Sequence, residues 1–284
     1  MKVLALVASQ RKLGNSEILA KEMLSALPDT VEKEMIRLTD LEIQGCKACY
    51  ACLAEETGCV IQDDLHFFLK KVQEADRIMI CSPCYFLGEH TVLKKLGDRM
   101  LSVLKKGRNF SAKKCVIAVC YGVEGWEGYA LEAVHNFASF LHLQVKGKML
   151  VRAANPGEVA TPAILQKARD LAWCLLEDRR FEQEREALTC SVCNSSLLQL
   201  LKDGTVRCPM CETTGNLQKD GSDYMIIVQE KGRNRFSAEV LTEHAKKLDQ
   251  IKENYIANRR ELKKVRERYA AYDDWWVLPE RGKS

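Results

Sequence analysis

Apolar positions fall into short, almost unbroken runs separated by amphipathic stretches. Residues 2–8 are nearly all apolar, which suits a strand buried on both faces of a parallel sheet. After a loop at 9–15, Ile18, Leu19, Met23, Leu24 and Leu27 recur at helical spacing. Residues 31–38 predict a second strand, 65–74 a helix and 77–81 a third strand that stops at Ser82-Pro83. A helix over 91–105, a strand over 115–120, a helix over 131–141, a strand over 143–151 and a helix over 163–179 continue the alternation. Strands alternating with helices predict an α/β fold, with one parallel sheet and right-handed crossovers.

Five such units in roughly 180 residues fit a flavodoxin-like, doubly wound five-stranded parallel sheet, which binds ligands at the carboxyl ends of its strands. The alternation stops after Glu186, so the expected division is a flavodoxin-like domain over 1–186, a small Cys-paired module over 187–216 and an extension over 217–284. The extension holds a strand at 224–228 and one long helix over 237–272, with Ser237 as N-cap. Leu241, Leu248, Tyr255, Leu262 and Tyr269 form a heptad-like seam, interleaved with Ile251, Val265 and Tyr272. Such a seam serves either a helix docked on its own chain or subunit pairing.

Composition narrows the classes. The chain has 284 residues, 46% hydrophobic and 29% charged, with a net charge of only +4. That is ordinary for a globular core and makes nucleic acid an unlikely partner. A basic patch on the last helix (Arg259, Arg260, Lys263, Lys264, Arg266, Arg268) is diluted by Glu253, Glu261 and Glu267 and reads as a solvated face. No apolar run approaches the roughly 20 residues that span a bilayer, so no membrane is expected and the localisation reads as cytoplasmic. Thirteen cysteines in a reducing compartment point to metal or redox work.

The segment Ser9-Gln10-Arg11-Lys12-Leu13-Gly14-Asn15-Ser16 joins the first strand to the first helix. A phosphate seeks N–H groups, hydroxyls and a cation at a helix N-terminus, and Ser9, Arg11, Asn15 and Ser16 supply them. Ser82-Pro83-Cys84-Tyr85-Phe86 ends the third strand with an aromatic pair suited to a flat ring. Gly122-Val123-Glu124-Gly125-Trp126 ends the fourth, where glycine permits close backbone approach. All three loops belong at one sheet edge.

The loop S-Q-R-K-L-G-N-S, the stretch G-C-V-I-Q-D-D-L, the motif S-P-C-Y-F and the later K-K-L-G-D-R resemble, in order and spacing, the NAD(P)H-dependent FMN reductase and iron–sulfur flavoprotein superfamily. The resemblance covers about residues 1–180. It implies an oxidoreductase with FMN as cofactor and NAD(P)H as co-substrate. Carried over by position, Ser9, Arg11, Asn15 and Ser16 hold the FMN phosphate, Pro83, Cys84, Tyr85 and Phe86 lie along the isoalloxazine, and Gly122 and Gly125 close the pocket. Cys84 departs from the family's aliphatic residue and reads either as a buried small side chain or as a group that tunes the flavin. No general acid or base is nominated. Asp63, Asp64, Asp98 and Arg99 read as caps or ion pairs, and His66, His90 and His135 as surface or core residues.

Cys46, Cys49, Cys52 and Cys59 give C-x2-C-x2-C-x6-C. The triple repeat favours a [4Fe–4S] cluster, and iron–sulfur flavoproteins carry a similar motif. Redox-active thiols and zinc are the alternatives. Cys190, Cys193, Cys208 and Cys211 form two C-x2-C knuckles, the signal of a tetrahedral four-cysteine site. Asn194 and Glu212 stand where rubredoxin knuckles carry glycine, which favours a zinc ribbon over iron. The whole predicts an enzyme passing electrons from NAD(P)H or a ferredoxin-type donor, through FMN and the cluster, to a protein or small-molecule acceptor. The alternatives are a cluster-free FMN or quinone reductase and a redox-sensing interaction protein. A homodimer or homotetramer is expected.

Overall fold

The computed structural model describes residues 1–53, 58–103, 110, 113–177, 181, 188–221, 223–230, 234–267 and 269. Five strands alternate with five helices: β1 (Lys2–Val7), α1 (Asn15–Ser25), β2 (Glu32–Arg37), α2 (Leu65–Glu74), β3 (Arg77–Pro83), α3 (Thr91–Asp98), β4 (Lys114–Tyr121), α4 (Ala130–Phe140), β5 (Gln144–Arg152) and α5 (Pro162–Trp173). The strands form one parallel sheet in the order β2-β1-β3-β4-β5. That is the flavodoxin-like order, with its switch point between β1 and β3.

Side-chain alternation along β1 sorts the core into two layers. Leu4 and Leu6 pack with Phe68 of α2, Leu93 of α3 and Val134 of α4. Val3, Ala5 and Val7 pack with Leu19 and Met23 of α1 and Leu171 of α5. Helices thus cover both faces, which is why the central strands β1, β3 and β4 read as continuous apolar runs rather than alternating ones.

Two boundaries differ from the expected ones. The helix expected over 91–105 is α-helical to Asp98 and caps at Arg99, whose side chain turns inward to pair with Asp63; residues 104 and 105 lie outside the described residues. The Cys-paired segment does not close at residue 216. Its sheet is four-stranded and antiparallel, β6 (Gln199–Leu200), β7 (Thr205–Arg207), β8 (Thr214–Asp220) and β9 (Asp223–Glu230), so the strand expected at 224–228 belongs to it. The division at 186/187 lies outside the described residues.

The last helix, α6 (Ala238–Glu267), begins where expected: the Val240 N–H donates to Ser237 Oγ at 3.2 Å. Leu241 and Ala245 are buried, with Leu101, Phe140 and Leu248 packed against them. Beyond that the seam faces solvent. Arg268 and Tyr272 lie outside the described residues. Among the described residues no helix is long and apolar enough to cross a membrane.

Candidate active site

The loops after β1, β3, β4 and β5 enclose a cavity of about 180 Å³ at the carboxyl edge of the sheet. It is lined by Ser9, Arg11, Asn15, Ser16, Pro83, Cys84, Tyr85 and Gly122 among the expected residues. Phe86 and Gly125 stand outside it. Phe86 is wholly exposed at the tip of the Tyr85–Gly88 hairpin, and Gly125 (φ +74°) has open space around it.

The first loop is held in shape from outside. Gly14 lies so close to Arg11 that a Cβ there would sit 2.9 Å from the arginine's own. Gly14 also brings no side chain to cap α1, whose first residues line the cavity. Unsatisfied first-turn N–H groups and the positive end of the helix dipole make such an end receptive to an anion. Asn15 acts differently from expectation. Its amide donates to the carbonyls of Ala153 (3.1 Å) and Asn155 (2.9 Å), and its oxygen accepts from the Gly157 N–H (2.9 Å). The side chain is spent tying the loop after β5 to α1, leaving Asn15 to contribute backbone.

Arg37 and Glu17 were not expected. Arg37 donates to the carbonyls of Ser9 and Arg11 and to the Glu17 carboxylate at 2.5 Å, while Glu17 also accepts from the Leu13 N–H at 2.7 Å. Burial works against the charge on Glu17, but bonds from Lys21, Arg37 and Leu13 outweigh it and lower the carboxyl to about 2.

Cys84 links two loops. Its Sγ lies 3.5 and 3.4 Å from the carbonyl oxygens of Trp126 and Glu127, and burial pushes the thiol up, so it is a neutral donor. Cys120 lines the cavity as well, pushed up to about 12 by burial. Phe86 and Leu87 both have positive φ, 48° and 69°. Bulky residues in that region carry strain, which collects at functional loops. The hairpin is pinned by the Tyr129 N–H donating to Leu87 O at 2.8 Å. A Cβ on Gly128 would lie 2.3 Å from Leu87 Cβ, so Gly128 is the glycine of its loop that the fold requires.

The two cysteine sets differ in geometry. The sulfurs of Cys190, Cys193, Cys208 and Cys211 lie within 4.8 Å of one another, with pairs at 3.5 and 3.6 Å. Thiolates about 2.3 Å from one tetrahedral ion stand roughly 3.8 Å apart, so the set fits a single metal ion. Both knuckles turn through a left-handed residue after the second cysteine, Asn194 (φ 57°) and Glu212 (φ 67°). Among the described residues, Cys46, Cys49, Cys52 and Cys59 are not gathered so tightly. Burial first, and then the neighbouring Cys59, Cys49 and Cys46, push the Cys52 thiol up. The Ala48 N–H donates to Cys46 Sγ at 3.4 Å, and Ala48 and Tyr50 both have positive φ. Arg99, its side chain wholly buried, donates to Cys59 Sγ at 3.1 Å and pairs with Asp63, a partner that the cap or ion-pair role expected of each did not specify.

A model of the family "NADPH-dependent FMN reductase" matches residues 1–155, from β1 through the end of β5. The chain belongs to that family. It is also 37% identical over 139 residues to an iron–sulfur flavoprotein of Methanocaldococcus jannaschii, spanning 48% of this chain and 71% of the relative. An iron–sulfur flavoprotein of Methanosarcina thermophila is 30% identical over 141 residues, spanning 48% and 72%. A solved flavone reductase shares the fold over 99% of this chain and 100% of its own, with a TM-score of 0.75 at 18% identity. The protein is therefore an oxidoreductase of the FMN reductase and iron–sulfur flavoprotein group.

Residues 156–284 lie beyond the family match, yet the four-cysteine module among them is tied to the sheet and α4. Lys148 of β5, fully buried, donates to Glu132 of α4 at 2.9 Å and to the carbonyl of Asn194 in the first knuckle at 2.7 Å. Ser196 Oγ adds a bond to the same Glu132 oxygen at 3.1 Å. Burial opposes the Glu132 charge, but His135 and Lys148 hold its carboxyl well below the usual range.

Proposed function

We propose that the chain is an FMN-dependent oxidoreductase that takes electrons from NAD(P)H or a ferredoxin-type donor and passes them through FMN and a [4Fe–4S] cluster to an acceptor. The observation that carries this reading is the convergence of Ser9, Arg11, Ser16, Pro83, Cys84, Tyr85 and Gly122 on one cavity at the switch point of the sheet. Ser9, Ser16, Arg11 and the first turn of α1 would hold the phosphate. Pro83, Cys84 and Tyr85 would flank the ring, with Phe86 and the Gly122–Gly125 loop at its open side. When bound, FMN accepts a hydride as an electron pair and releases the electrons singly, and a cluster receives them one at a time.

Cys46, Cys49, Cys52 and Cys59 keep the triple C-x2-C-x2-C repeat that suits a cube, each of whose corner irons takes one thiolate. N–H and guanidinium donors to the sulfurs, as from Ala48 and Arg99, stabilise their negative charge. The tight Cys190–Cys211 set suits zinc, a redox-silent ion that would hold the module together. Thirteen free cysteines fit a reducing compartment, the cytoplasm.

The test is an absorption spectrum of protein purified without air, before and after dithionite. Two flavin bands over a broad shoulder that bleaches on reduction are expected. Flavin bands alone would leave a cluster-free FMN or quinone reductase. A featureless protein that takes up no added FMN would overturn the proposal.

A further inference from the structure

A second cavity, of about 540 Å³, lies between the Tyr85–Gly88 hairpin, helices α3 and α4, and the four-cysteine module. We propose that it binds a flat aromatic small molecule, the electron acceptor of the enzyme; the acceptor role rests on the flavin reading above, the binding does not. Its volume falls within the roughly 300–1,000 Å³ of small-molecule sites. Rings dominate its walls: Tyr85 and Phe86 from the hairpin, Tyr129, Phe137 and Phe140 from α4 and the turn before it. Such rings favour offset or edge contacts with another ring. Tyr85 lines both cavities, so a molecule in the larger one abuts the loop assigned to the isoalloxazine. A few polar groups are present to orient a carbonyl, including the Asn136 amide and the Lys94 ammonium, which is paired with Asp98 of the same wall.

Leu197 and Met210 of the four-cysteine module complete the cavity. Both lie beyond the matched residues 1–155, so this wall is not part of the family's common core. Met210 sits between Cys208 and Cys211, and a metal there fixes its position. Leu197 follows Ser196, which is bonded to Glu132. A thioether against ring walls adds a polarisable contact suited to aromatic ligands. The four-cysteine module thereby becomes a specificity element.

The test is equilibrium dialysis of the oxidised holoprotein against 2,3-dimethyl-1,4-naphthoquinone, whose substituted ring carbons block addition of free thiols. One equivalent should bind. Ala133→Phe, which places a ring in the cavity from α4, should weaken binding about tenfold or more with FMN content unchanged. Met210→Ala should weaken it less. No binding to the parent protein, or equal binding to Ala133→Phe, would overturn the proposal. So would light scattering in which Ala133→Phe breaks an oligomer, since the cavity would then be a subunit contact. Binding of the naphthoquinone by protein that holds no FMN would keep the site and remove the flavin reading.

Discussion

Glu17 and Arg37 shape the phosphate loop from positions outside it. Arg37 reaches back from the end of β2 to two loop carbonyls, and Glu17 holds the Leu13 N–H where φ is +52°. Because the Glu17 carboxyl is lowered to about 2 from an ordinary 4.5, its contribution is fully present above about pH 4.5 and is lost as pH falls toward 2. FMN release, followed by the rise in free-flavin fluorescence on acidification, should therefore fall in that window. Glu17→Gln should weaken FMN binding at neutral pH by about 1–3 kcal/mol and flatten the acid-dependent part. A release curve unchanged by Glu17→Gln would dismiss the pair as the loop's support. Ser9, Ser16 and Pro83 were legible in the sequence because their chemistry sits within contiguous motifs. Glu17, Arg37 and Lys148 were not, because a charge about to be buried reads like a solvated one until its partner is placed. Arg37 meets Glu17 across 20 positions and Lys148 meets Glu132 across 16. Gly128 was missed for a related reason: three glycines share its loop, and the approach of Leu87 decides which one matters.

At the scale of elements, the central strands β1, β3 and β4 were readable because they are buried on both faces and therefore apolar nearly throughout, whereas the edge strands β2 and β5 are only partly buried and carry charges such as Glu32, Lys33 and Lys146. β8 was not, since Thr-Gly-Asn-Leu-Gln-Lys-Asp carries no apolar alternation, and its place follows from pairing with β9. The four cysteines mark this sheet far more clearly than its strands do. A unit this small cannot bury enough core alone, so a metal on its four cysteines, together with its attachment, would supply stability. The attachment is the Lys148–Glu132 pair with the Asn194 carbonyl. Stripping the metal of the four-cysteine site with a chelator under reducing conditions should speed amide exchange in β6–β9 while β1 and β3 keep their protection. Lys148→Met should also loosen β6–β9, at a cost of roughly 3–5 kcal/mol for the Glu132 charge left buried without its cation. Loss of protection in all nine strands at once on chelation would show that the metal supports the entire fold and not the module.

Over the whole molecule, the seam of α6 is half used. Leu241 and Ala245 seat its first turns on the chain's own surface, whereas Ile251, Tyr255, Leu262, Val265 and Tyr269 are 41% to 55% exposed. Single exposed apolar residues are ordinary, but a row at heptad-like spacing is a packing surface. The cations between them are partly neutralised within the helix, Lys264 by Glu261 at 3.1 Å and Lys263 by Glu267 at 3.7 Å, which suits a protein neighbour better than a nucleic acid. Exposed rings at Phe86, Trp126 and Tyr129, on the loops after β3 and β4, add further apolar surface that a second subunit would shield. We propose a homodimer or homotetramer on these grounds. Replacing Tyr255 and Leu262 together by lysine should lower the mass seen by light scattering toward that of one chain, while FMN content per chain stays the same. A parent protein that is monomeric across concentration would refute the assembly and assign the exposed seam to a different protein partner. An assembly that survives both lysines would move the subunit contact away from α6.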